Sequence, residues 1–244
     1  MNERSRVQRL LSPQSIAIVG IAAPGEGEPA QSHMEIMGMR VLANLDRFSF
    51  AGDLHLVSRS SSVNDRPTLP AISDLPEGID VALLAVEAEE SVAALKACAE
   101  RGVASAILYA GGFAERGEAG AAIQRELAQV AHDNGIALLG PNTVGLSNFV
   151  DGVSLSFGNH KPIPLEGRKG VALLTQTGGV SGQSRLALES MDVPVAYSVC
   201  TGNQAALSVA GLLSFMIEDQ AVSVILIFAE QIRDQEDFLR GIER

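Results

Sequence analysis

Thr177, Gly178 and Gly179 are the residues of this chain best placed by type and spacing to do chemistry. An apolar run, Val171 to Leu174, stops at Thr175-Gln176-Thr177, and the two glycines open a helix-compatible segment. Strand, tight turn and helix start in that order aim unpaired backbone N–H groups and the positive end of a helix dipole at one point, which favours an anion. The glycines let a phosphate approach the backbone with no Cβ in the way. Other loops after apolar runs carry polar groups of their own. Ser58-Arg59 offers a hydroxyl and a guanidinium where a dinucleotide site would have an acid for the ribose, and this pair suits a phosphorylated ribose. Val86-Glu87 leads into a helix whose first turn is acidic, which capping explains. Gly111-Gly112 permits close ligand approach, and Asn142, held behind Pro141, offers both a donor and an acceptor.

The elements that must position these residues alternate regularly. Strands are expected at Ser15–Gly20, Asp53–Ser58, Val81–Val86, Ser105–Ala110 and Ile136–Gly140, with helices at Met34–Leu45, Glu90–Arg101 and Ala119–Asn134. A glycine- and proline-rich loop through Pro29 follows the first strand, and Gly135 is placed to cap the third helix. Five strands alternating with helices indicate a Rossmann-like doubly wound parallel sheet over residues 1–148. Ligands of such sheets lie at the C-terminal strand ends, where the loops named above fall. Residues 149–168 break the rhythm and read as a linker. The pattern resumes over 169–244 with strands Gly170–Leu174, Val193–Val199 and Val222–Phe228 and helices Val180–Met191, Ala205–Ile217 and Gln235–Ile242. Three strands make an incomplete sheet, and the chain is expected to be part of a longer polypeptide.

Composition narrows the function. Of 244 residues 46% are hydrophobic and only 4% aromatic, as suits parallel strands covered by small-residue helices. The formal charge of −11 argues against a nucleic-acid surface, without excluding an anion held by local N–H groups. Cys98 and Cys200 are far apart in apolar surroundings and read as buried thiols. No apolar run is long enough for a membrane span, so a soluble cytoplasmic protein is expected, with no metal site. Gly20-Ile21-Ala22 is not the glycine fingerprint of a dinucleotide site, which disfavours a nicotinamide-dependent dehydrogenase.

Several blocks together resemble one family. LLSPQSIAIVG (10–20), GGFAERGEAG (111–120), LLGPNTVGLSN (138–148), TQTGGVSG (175–182) and the block opening TGNQ (201–204) are similar to the NDP-forming (ADP-forming) acyl-CoA synthetases, relatives of the succinyl-CoA synthetase α subunit. The resemblance runs over nearly the whole chain. It implies a CoA-binding domain followed by a flavodoxin-like ligase domain, here incomplete. It implies the reaction acid + CoA + ATP = acyl-CoA + ADP + phosphate, through an acyl phosphate and a phosphohistidine. Coenzyme A and an acyl-CoA or carboxylic acid would be its ligands. ATP/ADP and Mg would enter only through an ATP-grasp domain or subunit, a partner not in this chain, and a homo- or hetero-oligomer is expected.

By position, Gly20, Ala22, Ser58, Arg59, Val86, Glu87, Gly111 and Gly112 would line the CoA site. Thr177, Gly178 and Gly179 would hold the phosphoryl group, while Asn142 and Thr143 would border the acyl end. Glu230 falls where the family has a glutamate that orients the phosphohistidine. The chain departs from the family at Ser58-Arg59, usually Asn-Pro, and at Glu87, usually proline, which puts a negative charge beside a polyphosphate ligand. None of His33, His55, His132 and His160 replaces the phosphohistidine, solvated or capping roles being expected for them. The rival expectation is a stand-alone CoA- or nucleotide-binding regulatory module without catalysis.

Overall fold

A computed structural model describes residues 3–22 and 32–243. The glycine-rich loop expected after the first strand lies outside them from position 23 on. The first sheet is built from β1 (Ser15–Val19), β2 (Asp53–Val57), β5 (Val81–Leu84), β6 (Ser105–Leu108) and β7 (Ala137–Leu139), with the small hairpin β3 (Ser62–Val63) and β4 (Arg66–Pro67) beside it. Its order is β2-β1-β5-β6-β7, and every pair in it is parallel. β2 and β5 flank β1, so the chain reverses direction across the sheet at β1 and opens a crevice at its C-terminal end.

Burial on both faces explains the continuous apolar runs. Ile16 and Ile18 of β1, Val81 and Leu83 of β5 and Ile107 of β6 point to one core, and Ala17, Val19, Ala82, Leu84, Ala106 and Leu108 to the other. The second core is covered by α3 (Ala88–Glu100) and α4 (Glu118–Asn134). Gly135 ends α4 at φ 62°, the left-handed cap its position implies. The first core is covered by α1 (Glu3–Leu11) and α2 (His33–Arg47). Ser32 and Glu35 close a reciprocal capping box at the start of α2. Helix α1, which the polar N-terminus concealed, buries Val7, Leu10 and Leu11 at helical spacing.

The second sheet corrects the expectation of a bare linker and three strands. β10 (Gly170–Thr175), β11 (Val195–Cys200) and β12 (Val222–Phe228) are parallel, and a hairpin of β8 (Gly145–Asn148) and β9 (Val153–Ser156) joins them, antiparallel to β11. The order β12-β10-β11-β8-β9 makes five strands, with 145–148 in this sheet rather than with the first and 153–156 in it rather than in a linker. Helices α5 (Gly178–Ser190), α6 (Val209–Met216) and α7 (Gln235–Ile242) complete it. The expected helix from Ala205 starts only at Val209, because Ala205 N–H and Leu207 N–H bond to the carbonyls of Gly140, just after β7, and Leu138, within it. Edge strand β12 exposes Val224, Leu226 and Phe228. Leu146, Val153, Leu155 and Val199 of the second sheet pack in the same core as Leu10, Val41, Leu42 and Leu45, so the two sheets share one apolar interior.

The other face of the hairpin is polar and buried. Ser154, Ser147 and Ser198 lie side by side across β9, β8 and β11. Ser147 Oγ lies 2.7 Å from Ser154 Oγ and 2.6 Å from His160 Nδ1. His160 is therefore buried, contrary to the solvated role expected of it. Burial, then the charges of Arg185 and Arg47, hold its imidazole down to about 4 from 6.5. The unfolded chain takes up that proton near 6.5 and the folded protein only near 4. This contribution to stability is complete above 6.5 and is lost as the pH falls from 6.5 to 4, by at most about 3 kcal/mol. Urea midpoints between pH 7 and 4.5 should therefore fall less in His160→Gln than in the parent; equal slopes would refute this.

Candidate functional site

The site is built where the C-terminal strand ends of both sheets meet. The loop 140–144 leaves β7 and enters β8, and the loop 201–204 leaves β11. They touch at Gly202, whose φ is +57° and where an added Cβ would lie 2.2 Å from the Pro141 carbonyl oxygen. Asn203 N–H donates to that same carbonyl at 2.9 Å. Asn142 stands at φ +59° after a cis Gly140–Pro141 bond, its side chain exposed at the junction. Thr143, expected at the acyl end, is buried: its hydroxyl donates to Cys200 O at 2.5 Å and accepts from Gly145 N–H at 2.9 Å.

Thr177 and Glu230 are brought together. Thr177 Oγ1 donates to the Glu230 carboxylate, and Gln176 Oε1 accepts from the N–H groups of Glu230 at 2.8 Å and Gln231 at 3.0 Å. Gln176 thus fastens the loop after β12 to the loop after β10. Thr177 caps α5 without a side-chain bond to the helix, and space around Gly179 is open. A Cβ on Gly178 would meet Val144 Cγ1 at 2.5 Å, so this turn packs directly on the loop that carries Asn142.

The remaining expected residues line the crevice of the first sheet. Gly20 has φ +85°, and a Cβ there would lie 2.3 Å from the Ala85 carbonyl oxygen, so only glycine lets the ends of β1 and β5 meet. Ala22 is buried, Val86 is half-buried, and Glu87 sits exposed at the start of α3. Ser58 is buried, its Oγ accepting from Ser60 N–H at 3.1 Å. Arg59 is more than half exposed and pairs with Glu35 at 3.0 Å, so an incoming phosphate would exchange places with that carboxylate. Gly111 is exposed and Gly112, at φ +109°, lies above Ala88.

Sequence reasoning missed Glu115, Gln124 and Asn203, although two of them lie in the blocks GGFAERGEAG and TGNQ. Asn203 Nδ2 donates to Glu115 at 2.6 Å and to Gln124 Oε1 at 2.9 Å, and Asn142 Nδ2 donates to Asn203 Oδ1 at 3.3 Å. Partial burial works to raise the Glu115 carboxyl, but bonds from Asn203 and the N–H groups of Gly112 and Phe113 hold it below its usual value. A hollow lined by Arg6, Arg125, His132 and Ala206 lies elsewhere, so chemistry rather than concavity alone marks these strand ends. Among the described residues no cluster of His, Cys, Asp and Glu is arranged for a metal, and no helix is long and apolar enough to cross a membrane.

Comparison with known proteins agrees with this fold. Residues 14–148 match the CoA binding domain, and residues 168–244 match the succinyl-CoA ligase like flavodoxin domain. The chain is 30% identical over 241 residues to a trans-feruloyl-CoA synthase from an unknown prokaryotic organism, covering 98% of this chain and 33% of that protein. It is 27% identical to subunit alpha of the ADP-forming acetate–CoA ligase I of Pyrococcus furiosus, covering 96% of this chain and 49% of that one. The apo form of dinucleotide forming acetyl-coenzyme A synthetase 1 of Ca. Korarchaeum cryptofilum superposes with a TM-score of 0.84 at 26% identity, covering 96% of this chain and 49% of that one. The chain thus spans between a third and a half of the length of these relatives.

Proposed function

The chain belongs to the CoA-binding-domain family, as that family occurs in the NDP-forming acyl-CoA synthetases, and from this premise we propose that it is the CoA-binding and acyl-transfer portion of such a synthetase. The observation that carries the reading is the convergence of both sheets' C-terminal ends on the paired loops 140–144 and 201–204. One ligand can then run from the β1/β5 crevice, past Gly111 and Asn142, to the turn at Thr177. The nucleotide end of CoA would lie by Gly20, Ala22, Ser58 and Val86, with Arg59 exchanging Glu35 for a phosphate and Glu87 at the rim.

The chemistry asks for phosphate attack on the thioester carbonyl with CoA thiolate leaving to give an acyl phosphate, then attack of a histidine nitrogen on its phosphorus with the carboxylate leaving. The open N–H groups at Gly178 and Gly179 would hold that phosphoryl group. Glu230 now accepts from Thr177. In the working enzyme it would accept from one imidazole nitrogen and leave the other nucleophilic. The chain's own histidines stand elsewhere, so the relay histidine and an ATP-grasp module carrying ATP/ADP and Mg would come from outside these 244 residues. An assembly with that module in the cytoplasm is part of the same proposal.

Calorimetric titration of the full chain with CoA tests the reading. Binding is expected, weakened about tenfold by Arg59→Ala through loss of one charge-assisted hydrogen bond. Absence of any heat or thermal shift at millimolar CoA would remove the assignment. Phosphate-grown crystals are also expected to show an ion at Thr177–Gly179.

A further inference from the structure

The amides at the junction of the two sheets form a chain with a single possible polarity. An ionised carboxylate only accepts, so Glu115 must receive a donor from Asn203. Asn203 Nδ2 gives its two hydrogens to Glu115 Oε2 at 2.6 Å and Gln124 Oε1 at 2.9 Å. Its Oδ1 is thereby turned to Asn142, whose Nδ2 donates at 3.3 Å. The Asn142 amide is fixed in turn, and its Oδ1 faces Gly111. The place a Cβ would take on Gly111 lies 3.4 Å from Asn142 Oδ1 and 3.3 Å from Glu115 Oε1. Glu115 Oε1 already accepts from the N–H groups of Gly112 at 2.7 Å and Phe113 at 3.1 Å. Asn142 Oδ1 accepts from nothing among the described residues, and Gly111 is open to solvent. The surface over Gly111 is therefore a spot bounded by acceptors, one of them unused, that has room because the residue beneath it has no side chain.

We propose that this spot receives an amide N–H of the pantetheine arm of coenzyme A, with Asn142 Oδ1 as the acceptor and Asn203 and Glu115 as the residues that hold it in that orientation. The proposal rests on the CoA reading above and adds which part of the ligand is read, by which atom, and through which relay. An arm donor is what the polarity selects: a carbonyl turned to the same place would face two oxygens. Glu115 and Asn203 touch each other across the two sheets, so the spot exists only when the loops 111–115, 140–144 and 201–204 are all in register.

Three ligands and four variants of the full chain test it by calorimetry. CoA and dethio-CoA both carry the arm, and 3′-phospho-ADP carries none. The parent is expected to bind CoA and dethio-CoA alike. Asn142→Leu, Asn203→Ala and Glu115→Gln should each weaken both by about three- to tenfold, the loss of one hydrogen bond, and leave 3′-phospho-ADP unchanged. Gly111→Ala, whose backbone needs no left-handed conformation, should give the same split by filling the spot, and it decides the matter if an amide variant fails to fold. Equal weakening of all three ligands, or unchanged CoA binding, would overturn the proposal. Variants that weaken CoA but leave dethio-CoA unchanged would assign the spot to the thiol and overturn it too. A parent that binds neither CoA nor 3′-phospho-ADP would instead sink the CoA reading itself.

Discussion

Gly202→Val is expected to cost the protein about 2–5 kcal/mol and to abolish ordered binding at the junction of the two sheets. Gly202 sits at φ +57°, where an L side chain costs about 1–2 kcal/mol. An added Cβ would also stand 2.2 Å from the carbonyl oxygen of Pro141 and 2.6 Å from that of Asn142. Both neighbours are backbone atoms and cannot swing away as a side chain would, so overpacking adds about 1–3 kcal/mol. Relief requires the loops 140–144 and 201–204 to part, which breaks the 2.9 Å bond from Asn203 N–H to Pro141 and displaces Asn142. For a protein of this size the melting midpoint should fall by roughly 10 °C. A midpoint within a degree or two of the parent would show that these loops are not in contact.

Asp80→Ala is expected to destabilise by a comparable amount through a different cause. Asp80 is buried, and its carboxylate takes a donor from Arg9 Nε on one oxygen. On the other it takes the N–H groups of Gln14 at 2.7 Å and Ser15 at 3.0 Å. Its own N–H donates to Ser15 Oγ at 3.0 Å. One side chain thus ties α1, the start of β1 and the start of β5. Removal leaves two backbone donors without their acceptor and deprives Arg9 of its carboxylate, although Arg9 keeps Gly78 O. The expected loss is about 3 kcal/mol, read from urea midpoints, with Asp80→Asn recovering part of it. A loss under about 0.5 kcal/mol, the range of ordinary surface substitutions, would refute the clamp.

The strands of the first sheet were legible because parallel strands buried on both faces leave continuous apolar runs; Val81–Leu84 and Ser105–Leu108 have every residue buried. The hairpin 145–156 was not, for the same physical reason turned round. Its inner face carries Ser147 and Ser154, whose partners are His160 and each other, so a buried strand looks polar in sequence. The strand-to-helix turn at Thr177 was legible locally, since a strand, two glycines and a helix are contiguous. Glu115 and Asn203 stand 88 residues apart, and nothing short of the fold shows that one carboxylate orients the other's amide. Thr143 shows the converse: the sequence block put it at the acyl end, but its hydroxyl donates to Cys200 O and accepts from Gly145 N–H.

The interior common to both sheets limits how the molecule can work. Leu10, Leu42 and Leu45 are covered by Leu146, Leu155 and Val199, with no solvent layer between the units. A swivel of one unit on the other would have to expose that oil-like seam, so entry and exit of the ligand proposed above would proceed by yielding of rim segments while the body stays whole. Scanning calorimetry should accordingly record one heat-absorption peak, and a gene cut after residue 148 should yield a sticky, poorly soluble half.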